Sequence, residues 1–395
     1  MYPTISDLIQ DIFGIYIPLP IQSFGFFVAI AFLLASWLLA RELKRKEQQG
    51  LLEPLTKKTL KGAKATTTEM AISGIIGFVI GFKLLDIVLN YSAFVSDPQF
   101  FILSFKGNFL GGLLGAAAGA YLKYSEKNKE KADKPYWQNE VVHPHQHVGN
   151  ITLIAAFVGI LGAKIFHNLE NPGEFIADPI DALLSFSGLT MYGGLICGAV
   201  AIIWYARKNK LTVTQLFDAG APGLMLAYGV GRIGCHVSGD GDWGQVNTSA
   251  KPQWLNFLPD WVWAYDYPHN VIKEGIPIPD CVGTHCFVLP EPVWPTAFYE
   301  AVVSIMLFGF LWSIRKKITI PGMLFSIYLV LNGFERFFIE KIRVNEVYNI
   351  FGFQPTQAEI ISVGLILVGI AGMFYFNKKY REKLNGDALK VKSQI

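Results

Sequence analysis

The sequence predicts an all-α polytopic membrane protein of about nine transmembrane helices with a small outward-facing head. Three observations carry that prediction. Only 16% of the 395 residues are charged and 52% are hydrophobic, whereas a soluble domain carries roughly 25% charged residues. Mean hydropathy is +0.35. Apolar segments long enough to cross a bilayer recur along the chain, and lysines and arginines gather in alternate loops between them. Aromatic residues reach 14%, which suits side chains facing lipid and both interfaces. The net charge of +3 comes with no basic stripe interleaved with aromatics, so nothing points to nucleic acid as a partner.

The apolar segments fall at about 21–40, 70–89, 108–123, 150–167, 189–205, 214–234, 297–313, 320–338 and 357–376. No positive stretch precedes the first, so it reads as a span rather than a cleaved leader. Arg41, Lys44, Arg45 and Lys46 follow the first segment, Lys123 to Lys134 the third, Arg207 to Lys210 the fifth, Arg315 to Lys317 the seventh and Lys378 to Lys383 the ninth. The alternate loops are nearly bare, except for Lys341 and Arg343 after the eighth. By the positive-inside rule the N-terminus lies outside and the C-terminus inside. The expected divisions are 1–68, an N-terminal segment with the first span and an inner loop; 69–148, a helical pair and its loop; and 149–238, further spans. Residues 239–295 form an outer head rich in tryptophan, and 296–395 hold the last spans and the tail.

The helical pair at 69–148 has a second copy. Gly81-Phe-Lys recurs as Gly162-Ala-Lys, Asp97-Pro98 as Asp178-Pro179, and Leu103-Ser-Phe-Lys-Gly as Leu184-Ser-Phe-Ser-Gly, all at an offset of 81 residues. After a slip of one residue, Gly111-Gly112 matches Gly193-Gly194. Of the four cysteines, Cys197 and Cys235 read as small core residues. Cys281 and Cys286 sit in a polar stretch where, outside the cell, a short disulfide fits better than a metal site. His143, His145 and His147 read as an inner loop cluster without a catalytic role.

The densest chemical signal runs from Tyr228 to Gly244, at the outer end of an apolar segment. Its six glycines allow close approach of a ligand. Arg232 stands at membrane depth, where a charge is costly and functional by default, and its planar guanidinium suits bidentate contact with phosphate. The plainer alternative is an arginine snorkelling over a glycine-rich turn. Arg336, Glu340 and Arg343 share one helical face at the outer end of the eighth segment. An ion-pair ladder would look the same in isolation, but Arg232 at the same boundary favours a shared anionic ligand. Two supporting stretches are Tyr192-Gly193-Gly194 within Gly188 to Ile196, and Pro295 to Glu300, which carries Tyr299. Helix packing would explain the first, and a favourable helix-dipole contact the second.

Taken in order, these stretches resemble the prolipoprotein diacylglyceryl transferase family. The resemblance rests on Gly-Arg-Ile-Gly, Gly-Asp and Trp-Gly within 231–244, Tyr-Gly-Gly-Leu-Ile at 192–196, Pro-Thr-Ala-Phe-Tyr-Glu at 295–300 and Arg336, Glu340 and Arg343. It covers about 150–350, with Phe24-Gly25 a weaker match to the family's opening helix. Departures are specific. Tyr192 stands where the family has His, Cys235 and Ser238 where it usually has Asn, Asp240 where it has Glu, and Phe24 where it has Tyr. The family's seven spans become nine here through the first repeat copy, which reads as accessory scaffold.

The resemblance implies transfer of the diacylglyceryl group of phosphatidylglycerol to the lipobox cysteine of a pre-lipoprotein signal peptide, at the outer face of a bacterial plasma (inner) membrane. Membrane lipids and pre-lipoproteins are the implied partners, and the reaction calls for no cofactor or metal. Arg232 and Arg336 would hold the phosphodiester, Glu340 would orient the arginines, and Arg343, Gly193, Gly194, Ser238, Gly239, Asp240, Gly244, Tyr299 and Glu300 would line the site. For the thiol proton two options stand: Tyr192 bonds the phosphate while the arginine field favours the thiolate, or His236 acts as base. A transporter and a catalytically inactive lipid- or lipoprotein-binding paralogue are the alternatives from other classes.

Overall fold

The computed structural model describes residues 1–19, 21–96, 98–132, 134–179, 182, 190–349 and 352–392. Each expected apolar segment falls on a helix. These are α2 (Ser23–Gln48), α3 (Thr67–Leu89), α4 (Phe109–Lys129), α5 (Val148–Glu170), α6 (Met191–Lys208), α7 (Val213–Ser238), α8 (Thr296–Ile314), α9 (Met323–Ile339) and α10 (Gln357–Lys392), preceded by α1 (Ile5–Phe13). Several run past their apolar stretch, as α2 does through Arg41 to Gln48, because Arg, Lys, Glu and Gln are good helix formers. Among the described residues, five helical stretches are long and apolar enough to cross a membrane: Ser23–Gln48, Thr67–Leu89, Pro144–Glu170, Thr296–Ile314 and Gln357–Asn385. The protein is a helical membrane protein.

The expectation of an all-α chain needs one correction. Strand β1 (Leu55–Lys61) pairs antiparallel with β2 (Tyr136–Val142), and β3 (Ile276–Pro277) with β4 (Phe287–Val288). In β1 Leu55, Thr56, Thr59 and Leu60 suit a strand, but Lys57, Lys58 and Lys61 equally fit a positive inner loop, and that reading masked it.

Both copies of the sequence repeat are helix pairs joined at glycines. A Cβ on Gly81 would lie 2.2 Å from Gly111 O, and one on Gly162 would lie 2.7 Å from Gly193 O. Asn108 donates its backbone N–H to Phe82 O at 2.9 Å, and Thr190 to Ala163 O at 3.1 Å, one repeat further on. Asp97 and the stretch 184–188 lie outside the described residues, as do Gly188 and Leu189. The first pair meets the rest of the chain sparingly: no residue of α3 is buried. The β1–β2 ribbon joins the chain on either side of the pair, and Tyr91 donates to Pro18 O at 2.8 Å.

The remaining helices position the site. Helix α7 packs on α2 and α8, and α9 on α10. Gly229 and Gly234 admit these neighbours: a Cβ on Gly234 would lie 2.9 Å from the Phe27 side chain. Between α7 and α8 the chain forms an irregular unit around Trp243, Tyr267, Leu289 and Val293. Cys281 and Cys286 are joined there by a disulfide, as their setting predicted.

Candidate functional site

Helix α7 ends at Ser238 with Gly239 in the left-handed conformation, φ 66°. The chain then turns back across the mouth of α8 and α9. Gly244 donates its N–H to Trp294 O, and Gln245 to Ile342 O, both at 2.8 Å. A Cβ on Gly244 would lie 2.4 Å from Ile342 O, so only glycine fits this approach of two backbones. Thr296 Oγ1 anchors the same turn by donating to Asp242 O at 2.7 Å.

These turns bring three arginines around one carboxylate. Glu300, fully buried in the first turns of α8, receives Arg232 Nε at 2.7 Å on Oε2 and Arg343 Nη1 at 2.8 Å on Oε1. Arg336 Nη1 reaches Glu300 Oε2 at 3.4 Å and its Nη2 pairs with Glu340 at 3.2 Å. Tyr228 donates its hydroxyl to Glu300 and lies under the Arg232 guanidinium, 5.2 Å from ring centroid to Cζ. Asp242 ties Arg232 to Arg343 from the other side. Three cations thus face three mostly buried carboxylates, where each charge-assisted bond is strong and each unpaired charge is costly. Arg343 Nε is buried without a hydrogen-bond partner among the described residues, as are both carboxylate oxygens of Glu335.

The electrostatics of the turn follow from this crowding. Burial alone would raise the Asp242 carboxyl, but Arg232 and Arg343 outweigh it and hold Asp242 well below the ordinary aspartate range. Asp240, two residues away, goes the other way: burial raises it and the Asp242 charge adds to the rise. Cys235, Asp240 and Asp242 bring one thiol and two carboxylates within 4.8 Å of one another. The two arginine bonds already commit the Asp242 oxygens, which makes that trio a poor cation site.

The residues expected from sequence divide into those the fold gathers and those it does not. Arg232, Arg336, Arg343, Glu340 and Glu300 form the cluster, and Tyr192 at the start of α6 lies within the field of all three arginines and of Glu340. Asp240 and Gly244 shape its rim, while Ser238 and Gly239 cap α7, with Ser238 Oγ donating to Cys235 O at 3.3 Å. Gly193 and Gly194 sit in the α5–α6 contact, where Cβ atoms would meet Phe166 and Gly159. Tyr299 turns away and donates to Val262 O at 2.7 Å. His236 is boxed by Trp261, Tyr265, Tyr267 and Phe298, with Nδ1 3.1 Å from the Tyr267 hydroxyl. Sequence reasoning missed Asp242 as the second bridging carboxylate, and Tyr228 and Glu335 beside Glu300. The signal for Asp242 was present in the Gly-Asp-Gly-Asp repeat, but only geometry chooses between its two acids.

A bundle of apolar helices with a buried arginine–carboxylate cluster at one set of helix ends defines a membrane protein with a charged site at the ends of its helices. The family model of prolipoprotein diacylglyceryl transferase matches residues 10–138 and 128–375, two stretches that overlap between the two helical pairs. The chain belongs to the prolipoprotein diacylglyceryl transferase family. It is similar to proteins named phosphatidylglycerol–prolipoprotein diacylglyceryl transferase. The one from Corynebacterium efficiens is 28% identical over 51% of this chain and 60% of its own length. That from Dehalococcoides mccartyi is 28% identical over 58% and 76%, and that from Corynebacterium glutamicum 28% over 58% and 69%. The chain therefore spans somewhat more than half the length of the first of these relatives. The family resemblance read from the Gly-Arg, Pro-Thr-Ala-Phe-Tyr-Glu and Arg336 to Arg343 stretches is borne out.

Proposed function

We propose that this chain transfers the diacylglyceryl group of phosphatidylglycerol to the lipobox cysteine of pre-lipoproteins. The observation that carries the reading is the meeting of Arg232, Arg336 and Arg343 at Glu300, in a family whose relatives are named for that reaction. In the reaction the cysteine thiolate attacks the glyceryl carbon, a C–S bond forms, and the C–O bond to phosphate breaks. Glycerol phosphate leaves with the bonding pair. Donors aimed at the leaving phosphate stabilise the charge it gains. Arg336, the most accessible of the three at 19%, and Arg232 are the residues proposed for that role, with Glu300, Asp242 and Glu340 as positioning carboxylates. Tyr192 is proposed to bond the phosphate in place of the family's His, while the arginine field favours the thiolate and the thiol proton leaves to water. His236 is given no part, because its Nδ1 is engaged by Tyr267 within an aromatic box.

The proposed topology has nine spans in a bacterial plasma membrane, with the N-terminus and residues 239–295 outside and the C-terminus in the cytoplasm. The Lys and Arg distribution supports it. Arg232 lies in the last two turns of α7 and Arg336 in the last turn of α9, away from the midplane where a transporter's charges gather. The test is transfer of labelled diacylglycerol from phosphatidylglycerol to a lipobox peptide by purified protein. Label with wild type, and none with Arg232→Ala or the more exposed Arg336→Gln, is expected. A folded wild type that binds phosphatidylglycerol yet transfers nothing would leave an inactive binding paralogue.

A further inference from the structure

We infer that a second anion site lies at the opposite helix ends from the arginine cluster: a cavity built to take a phosphate group, as carried by an anionic lipid head or by free phosphate. The cavity has a volume of about 240 Å³ and is lined by Arg45 and Lys46 from the end of α2, Gln215 and Asp218 from the start of α7, and Lys316 from the turn after α8. Seventeen residues of helix separate Gln215 from Arg232, which is roughly 25 Å along the axis at the usual rise per residue. In the proposed orientation the cavity opens to the cytoplasmic leaflet.

The charges there do not balance. Lys46, only 6% exposed, donates its ammonium to Gln215 Oε1 at 2.6 Å, a neutral acceptor. Asp218 commits its carboxylate to the backbone of the next helix, receiving Gly322 N–H at 2.7 Å and Phe325 N–H at 2.9 Å. Glu42 is shared by Arg45 at 2.7 Å and Arg315 at 2.8 Å. Four cations, Arg45, Lys46, Arg315 and Lys316, thus stand against two carboxylates that already have partners. Lys46 lies in the field of Asp218 and Glu42 but hydrogen-bonds to neutral Gln215, and the four cations outnumber the two carboxylates, an excess of positive charge that is costly in this setting. Basic pockets between transmembrane helices on the cytoplasmic side are suited to lipid head groups, and phosphate would give Lys46 and Arg45 charge-assisted bonds.

The test uses the full-length protein in phosphatidylcholine nanodiscs, with or without a minor fraction of phosphatidylglycerol. Native mass spectrometry counts the phosphatidylglycerol molecules retained. The double variant Lys46→Gln, Lys316→Glu is expected to lose one retained molecule that Arg336→Gln keeps. Its affinity for that molecule should fall about tenfold or more, the usual scale for a lost charge-assisted bond. A free-phosphate occupant would show instead as a rise in melting temperature with inorganic phosphate in pure phosphatidylcholine discs, present in wild type and absent in the variant. Lys316 is exposed at the rim, so Lys316→Glu alone serves if Lys46→Gln fails to fold. Unchanged lipid retention in the folded variant, together with a phosphate-dependent shift that is missing from wild type or kept by the variant, overturns the site. Neither readout depends on transferase activity, so the two proposals fail separately.

Discussion

Arg343 donates from Nη1 to Glu300 Oε1 at 2.8 Å, joining residues 43 positions apart. The bond fixes the loop after α9 to the first turns of α8, on the side where Arg232 and Arg336 take the other oxygen. Glu300 is the shared counter-ion of the whole cluster.

Glu300→Gln keeps the shape and removes the charge, leaving three arginines with two carboxylates. Breaking a buried ion pair from one side costs about 3–5 kcal/mol, so the variant should unfold at lower temperature and transfer little or no label. Thermal unfolding in detergent checks the first effect. An unchanged melting temperature would show that Glu300 is not the counter-ion that holds the arginines.

Tyr192 is proposed to offer its hydroxyl to the substrate phosphate. Tyr192→Phe should lower the initial transfer rate about tenfold, as expected for one lost hydrogen bond to a charged group. Tyr192→His, which supplies a donor of similar reach, should keep most of the rate. Equal rates for Phe and Tyr would remove this hydroxyl from the mechanism.

Glycine contacts hold both helical pairs, but only the second pair carries Tyr192. Gly162→Leu pushes against Cys197, whose Cβ would stand 2.5 Å from the new Cβ, and should depress transfer severely. Gly81→Leu forces apart α3 and α4 in the same way yet should spare most activity, because α3 buries nothing against the rest. Transfer assays on the two variants, with cysteine cross-linking of each pair, separate the cases. Equal loss from both would give the first pair a direct part in the site.

Asp242 supplies a pH dependence whose sign is fixed by its direction of shift. Burial raises it, but Arg232 and Arg343 together hold its folded pKa below the unfolded value. Its stabilisation is therefore complete above about pH 4, the ordinary aspartate range, and is lost as pH falls towards the folded pKa. Asp242→Asn should lower stability at neutral pH and flatten the acid side of the melting profile. A wild type and variant with parallel profiles from neutral pH down to acid would contradict the bridging role.

The sequence by itself determined the membrane class, the helices and the family. Those properties are local: a bilayer demands apolar runs of helical length, and family motifs are contiguous strings such as 231–244. The repeat was equally legible, since Gly81 and Gly162 recur at one spacing. Strand β1 escaped because three lysines in seven residues, Lys57, Lys58 and Lys61, fit a positive inner loop as well as a strand. Within the site, the arginines were found because charge at membrane depth stands out against an apolar background. What only the tertiary structure decided is which acid meets which arginine. Asp240 and Asp242 are two residues apart in one glycine-rich turn, yet Asp242 bridges Arg232 and Arg343 while Asp240 lies beside Cys235. His236 is four residues from Arg232 and still packs into the aromatic unit beyond the membrane helices. Such choices depend on where Gly239 and Gly244 turn the chain and on what α8 and α9 present to it, and those are contacts between segments far apart in sequence.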